Sequence, residues 1–242
     1  MTRNAPKMPF KIQNWKLSLL ALLFICIFTS LGFWQLSRAN QKKLLLASFT
    51  ERAMRTPLTV QDINHPGDWR FYQARLEGSF DNAHTMLLDN KIYQGMIGYE
   101  VYTPFKASGM DTPIMVDRGF IPIGKSRKDL PVIKNITGNI TITGMLNLPP
   151  TYVALGQIYE APSIRWPLRI EYVNLSEFPK FLGYSVYPYV LNIEASDSSA
   201  YEVRWQPVTM SPEKHTAYAV QWFALALTLL ILFVALNRKP KV

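Results

Sequence analysis

Two uncharged apolar stretches, one near each end, restrict this chain more than any other feature. Residues 218–236, "YAVQWFALALTLLILFVAL", run 19 positions with no charge and only Gln221 and Thr228 as interruptions. Residues 17–34, "LSLLALLFICIFTSLGFW", run 18 positions with no ionisable group except Cys26. A helix needs roughly 20 predominantly apolar residues to cross a hydrocarbon core, so both stretches read as spans. A cleaved signal peptide is the rival reading for the first, given Lys7, Lys11 and Lys16 ahead of it and Ser30-Leu31-Gly32 within it. Apolar character continues past that point through Phe33, Trp34 and Leu36, longer than a signal's apolar core.

The net charge of +9 invites a nucleic-acid reading until its distribution is considered. Residues 1–16 hold four basic and no acidic side chains, and residues 237–242 hold three and none. Taking those seven from the 26 cations leaves 19 against all 17 acids for the rest of the chain. The excess sits in the tails, which removes the electrostatic case for nucleic acid and fits the positive-inside rule. The expected organisation is a cytoplasmic tail over 1–14, a span over 15–37, an exported β-rich domain over 38–214, a second span over 215–236 and a cytoplasmic tail over 237–242. Sixteen residues ahead of the first span leave little room for a mitochondrial transit peptide, so a bacterial inner membrane is expected.

Between the spans the pattern changes. Helical character continues to about residue 54, Pro57 ends it, and short runs rich in β-branched and aromatic residues follow at 72–80, 84–90, 98–105, 113–123, 139–148, 168–175, 188–195 and 201–208. Strands at this spacing, punctuated by Gly, Pro and Asn, predict a mainly antiparallel α+β domain of barrel or sandwich type, with a short helix at 175–183. Cys26 is the single cysteine, so no intramolecular disulfide forms. His65, His84 and His215 show no metal-pair spacing, and phosphate-loop, dinucleotide and nucleophile-elbow motifs are lacking. No enzyme is expected.

At the start of the second span, the helical period puts His215, Ala219, Trp222 and Ala226 on one stripe, each within about 40° of His215. Tyr218 and Gln221 flank it. The first span ends outward with Gly32, Trp34, Gln35 and Arg38. In a two-helix hairpin these groups share one membrane depth. The plainer reading is an interfacial aromatic belt, with Arg38 on lipid phosphate. The sharper one is a site for a flat amphipathic ligand, favoured by Gln221, since polar side chains in spans usually face a partner or cavity.

The segments "LGFWQLSRANQKK", "GYEVYTPF", "VDRGFIP" and "HTAYAVQWF" resemble, in order and approximate separation, those of the Surfeit-locus-one family of cytochrome oxidase assembly factors. The resemblance covers both spans and the intervening domain to about Gly144. Phe120 stands where the family usually has Trp, and Asp117 where Asn is commoner. The resemblance implies a role in assembling the haem-copper oxidase catalytic subunit, and it implies haem a as a transient ligand, with His215 on the iron. On that reading Trp222 and Trp34 pack on the macrocycle, Tyr218, Gln221 and Gln35 line the site, and Arg38 pairs with a propionate. The expected partners are the oxidase catalytic subunit, the haem a synthesis enzyme and membrane lipid, with no nucleic acid. Two other classes remain open: a scaffold that holds the oxidase subunit without touching haem, and an anchored enzyme.

Overall fold

The computed structural model describes residues 14–124, 129–152, 157–159 and 164–238. They fall into two units, one built from Met1–Ala47 with Pro207–Val242 and the other from Ser48–Gln206. The ends of the first apolar run are set by polar residues. Asn14 caps helix α1 (Trp15–Ala53), its Oδ1 accepting from the amides of Lys16 at 3.1 Å and Leu17 at 3.3 Å. The helix continues unbroken for 39 residues, about 58 Å at 1.5 Å per residue, roughly twice the ~30 Å hydrocarbon thickness.

Helix α4 (Pro212–Asn237) starts where Pro212 cannot donate and Glu213 adds a negative charge to the first turn. Both α1 and α4 are long and apolar enough to cross a membrane. Their outward faces carry Leu19, Leu22, Leu23, Ile27, Val220, Leu227 and Ile231, all exposed in the isolated chain. Such surfaces need lipid or a partner.

The second unit, which lies between the two apolar runs in sequence, forms a closed barrel. Strand β1 (Gln73–Phe80) pairs antiparallel with β5 (Ile140–Asn147), β5 with β7 (Val190–Ile193), and β7 runs parallel to β4 (Ile114–Pro122). Strand β4 pairs antiparallel with β3 (Met96–Ala107), and β3 returns to β1 through Phe105, Lys106 and Ala107, closing the ring. Twelve residues let β3 serve two partners along one edge: its last residues hold β1, and its first hold β2 (Met86–Tyr93). A three-residue strand β6 (Leu168–Ile170) then adds parallel to β2. Closure leaves no room for a side chain at Gly78, where a Cβ would fall 2.1 Å from the Lys106 carbonyl.

The period of two sorts side chains between cores. On β4, Ile114 and Val116 point into the barrel with Leu76, Phe105, Ile142, Leu146 and Leu191. Met115, between them, joins Met86, Tyr102, Ile170 and Phe178 on the outside. That outer layer is covered by helix α3 (Pro179–Leu182) and by the chain around Tyr172; another four-residue helix, α2 (Val60–Ile63), adds Ile63 to the barrel core.

Three expected strands differ from what forms. The run at 168–175 pairs only as far as Ile170, because β2 bulges between Leu88 and Lys91 and the amide of Glu171 goes instead to the Ile158 carbonyl at 2.8 Å. The run at 84–90 begins at Met86, since Asn82–His84 makes a 3₁₀ turn. The run at 201–208 is not a strand. Glu202 alone bridges Phe120, and Arg204 turns aside to the Ile92 carbonyl at 2.8 Å and Glu100 at 2.9 Å. Phe120 is buried, its ring 5.7 Å from that of Tyr93 and 5.0 Å below the Arg204 guanidinium.

Candidate functional site

The membrane-helix unit has a seam built from matched stripes. Phe28, Gly32, Gln35 and Ala39 recur at spacings of four, three and four on α1, and His215, Ala219, Trp222 and Ala226 do the same on α4. Small residues in both stripes let the helices approach closely. Ala39, Ala219 and Ala226 are buried, and Gly32 lies so near Phe223 that an added Cβ would sit 2.5 Å from that ring. The Phe28 and Trp222 rings are 5.5 Å apart and tilted, and Phe33 meets Phe223 edge-on at 5.3 Å. Pairing Phe28 with Trp222 and Gln35 with His215 fixes the helices as antiparallel neighbours.

His215 is the polar centre of this seam. It is 8% exposed, and its Nδ1 lies 2.7 Å from Gln35 Oε1. A carboxamide oxygen only accepts, so Nδ1 carries the hydrogen and donates it. Nε2 is buried with no hydrogen-bond partner among the described residues. Buried ring nitrogens are ordinarily satisfied, and the packing of the helix pair does not account for this lone pair.

The other expected site residues are distributed around the seam rather than all within it. Trp222 is half-buried against Phe28. Trp34 is 54% exposed and Tyr218 45% exposed, both outside the seam, and Gln221 is exposed on the far face of α4. Arg38 is half-buried, its Nη1 donating to Gln41 Oε1 at 2.8 Å. Phe28 and Phe223 join the seam unanticipated. The four-three-four spacing of Phe28 with Gly32, Gln35 and Ala39 was the signal that could have found Phe28.

The barrel holds a second polar cluster. Asp117 is buried and accepts from the Gly119 amide at 3.0 Å, Asn192 Nδ2 at 3.0 Å and the Tyr102 hydroxyl at 3.4 Å. Burial, and then the nearby charge of Glu100, push its carboxyl up to about 7. Glu100 itself is paired with Arg204 at 2.9 Å and Lys91 at 3.5 Å. A cavity of about 10 Å³ opens between Asp117, Glu100, Asn192 and Trp205, room for about one water. Among the described residues there is no group of three or more His, Cys, Asp or Glu able to hold a metal ion.

Comparison with known proteins follows the same lines. A family model described as the SURF1 family matches residues 22–227, a span that includes Phe28, Gln35, the barrel and His215. The chain is similar to the SURF1-like protein of Rickettsia conorii, 26% identical over 236 residues, covering 93% of this chain and 92% of that protein. It is similar to the SURF1-like protein of Rickettsia prowazekii, 26% identical over 225 residues, with 90% and 88% covered. To the Surfeit locus protein 1 of Mus musculus it is 23% identical over 133 residues, 49% of this chain and 44% of that one.

Proposed function

The chain belongs to the SURF1 family, and on that premise we propose that it is a membrane-anchored assembly factor for haem-copper oxidase that holds haem a before the cofactor enters the oxidase catalytic subunit. The observation that carries the haem part is the buried, unpartnered Nε2 of His215, with Nδ1 already committed to Gln35. Haem, when bound, would supply an iron able to take an imidazole nitrogen as ligand. His215 fits as that ligand through Nε2, because the nitrogen is unprotonated and no group among the described residues is hydrogen-bonded to it. Trp222, Trp34 and Tyr218 offer aromatic faces, Gln221 an amide, and Arg38 a cation suited to a carboxylate.

Nε2 is itself buried, so a ligand reaches it only when the seam loosens around His215. A carrier has to release what it binds, so a ligand atom that the protein can re-bury suits the role. The partners on this reading are the oxidase catalytic subunit and the membrane enzyme that makes haem a. Basic tails flanking both helices support cytoplasmic termini, a barrel outside the cytoplasm and residence in a bacterial inner membrane. The chain itself makes and breaks no covalent bond.

The test is the visible spectrum of detergent-purified protein from cells that make haem a, wild type beside His215→Ala. A haem a band that weakens or disappears in the variant is the expected result. Colourless protein in both, with oxidase subunit still co-purifying, overturns the carrier reading in favour of a haem-independent scaffold.

A further inference from the structure

A histidine offered as an axial ligand has to present a lone pair, and a neutral imidazole carries one nitrogen with hydrogen and one without. Which nitrogen is which depends on the hydrogen bond made by the other. Here the ring is carried by α4 and its only hydrogen bond among the described residues is to α1, where Gln35 Oε1 accepts from Nδ1 at 2.7 Å. The opposite tautomer would set two acceptor atoms, Nδ1 and Oε1, against each other and bury an Nε2–H with no acceptor. An unsatisfied buried donor is destabilising. No other described side chain is hydrogen-bonded to the His215 ring.

Resting on the carrier reading above, we infer that Gln35 is the positioning residue of this site: it locks His215 in the Nδ1–H tautomer, fixes the ring plane, and leaves Nε2 as a preformed donor for a metal centre with an open axial position. Gln35 touches no ligand in this role and acts through His215. Partners of this kind behind a metal-bound histidine typically change metal affinity by ~10–100-fold when removed. A carboxylate in place of the carboxamide accepts from Nδ1 more strongly and makes Nε2 more basic.

The experiment uses the full chain in detergent, free of haem, with ¹⁵N-labelled histidine. The His215 signals are assigned by their loss in His215→Ala, and the ring nitrogen shifts report the tautomer directly. Wild type is expected to show Nδ1–H alone, Gln35→Leu a mixture or the Nε2–H form, and Gln35→Glu Nδ1–H again. Haemin is then titrated into the same samples: Gln35→Leu is expected to bind 10–100-fold more weakly than wild type. Gln35→Glu is expected to bind at least as tightly, with the iron midpoint potential lowered. Should Gln35→Leu separate the helices, Gln35→Glu still tests the claim, because a structural role alone does not lower the iron potential. An Nε2–H tautomer in the wild type overturns the assignment, as does Nδ1–H persisting in Gln35→Leu with unchanged haemin affinity. A Gln35-dependent Nδ1–H tautomer in a wild type that takes up no haem supports the positioning role and overturns the carrier reading alone.

Discussion

Phe223 on α4 fills the space that a side chain at Gly32 on α1 would need, with three of its ring atoms within 2.9 Å of where a Cβ would stand. Phe33 also meets that ring edge-on. Overpacking of this kind costs about 1–3 kcal/mol. Gly32→Leu is expected to force the seam apart, and Gly32→Ala to do so less. Spin labels on Cys26 and on a cysteine introduced at Leu230 should show a longer or broader distance in Gly32→Leu. The second change Phe223→Ala should restore it. An unchanged distance in Gly32→Leu would show that this approach does not set the helix pairing.

Arg118 is a fully buried cation, with the negative charge of Asp197 nearby. Its Nε donates to the Ser199 carbonyl at 2.9 Å and its Nη2 to the Lys134 carbonyl at 3.1 Å, while the guanidinium lies 5.2 Å from the Phe80 ring and 5.0 Å from that of Tyr201. The residue thus ties two loops to β4 by a planar fork between aromatic faces. Lysine lacks that fork. Arg118→Lys is expected to destabilise the barrel by about 2–4 kcal/mol, through two orphaned carbonyls and lost ring contacts. Thermal unfolding measures the loss. Hydrogen exchange should rise first at the amides of Lys134 and Tyr201, and a variant as stable as wild type would assign the motif another role.

The spectrum of His215→Ala tests the ligand. Trp222 is a separate matter, since its ring is engaged with Phe28. Trp222→Phe keeps an aromatic against Phe28 and should alter haem uptake less than twofold if that ring only packs the seam. Trp222→Ala should both loosen the seam and reduce uptake by about tenfold, a loss of roughly 1.4 kcal/mol at the standard conversion. Equal, large losses in both variants would mean that the indole itself contacts the ligand.

The apolar runs at both ends and most strands were legible because each follows a local period. β1 and β5 end within a residue or so of the hydrophobic runs that announce them. Barrel closure was not legible, because it depends on one strand, β3, being long enough to hold β1 after β2 has ended. The strand expected at 201–208 failed for a non-local reason: β7 already occupies the edge of β4 from Met115 to Asp117, leaving only its far end for Glu202. In the helix pair, the stripe through His215 was readable from the helical period. Trp34 and Gln221 were harder to place, since an aromatic or polar residue near a membrane boundary looks the same in sequence whether it faces the seam or the lipid.

Asp117 gives the barrel a stability that depends on pH near neutrality. Its folded carboxyl is raised to about 7, first by burial and then by the charge of Glu100. A carboxyl in an unfolded chain titrates near 3.9. The folded state therefore binds this proton more tightly than the unfolded state, and stability from this group is fully present below about pH 4. It declines as pH rises from there and is gone once pH has passed through about 7. Asp68 and Asp81 act in the opposite sense. Burial raises both, but Arg52 outweighs it for Asp68, and His84, Tyr184 and Lys106 outweigh it for Asp81, so both carboxyls end below the usual range. Their contribution is present above about pH 4 and is lost as pH falls further. The unfolding temperature of the wild type should accordingly fall between pH 6 and 8. Asp117→Asn keeps an oxygen to accept from Gly119 and cannot ionise, so its unfolding temperature should be level across that interval and exceed the wild type's at pH 8. Parallel profiles for the two proteins from pH 6 to 8 would mean that Asp117 stays ionised in the folded barrel, stabilised by the donors from Gly119, Asn192 and Tyr102.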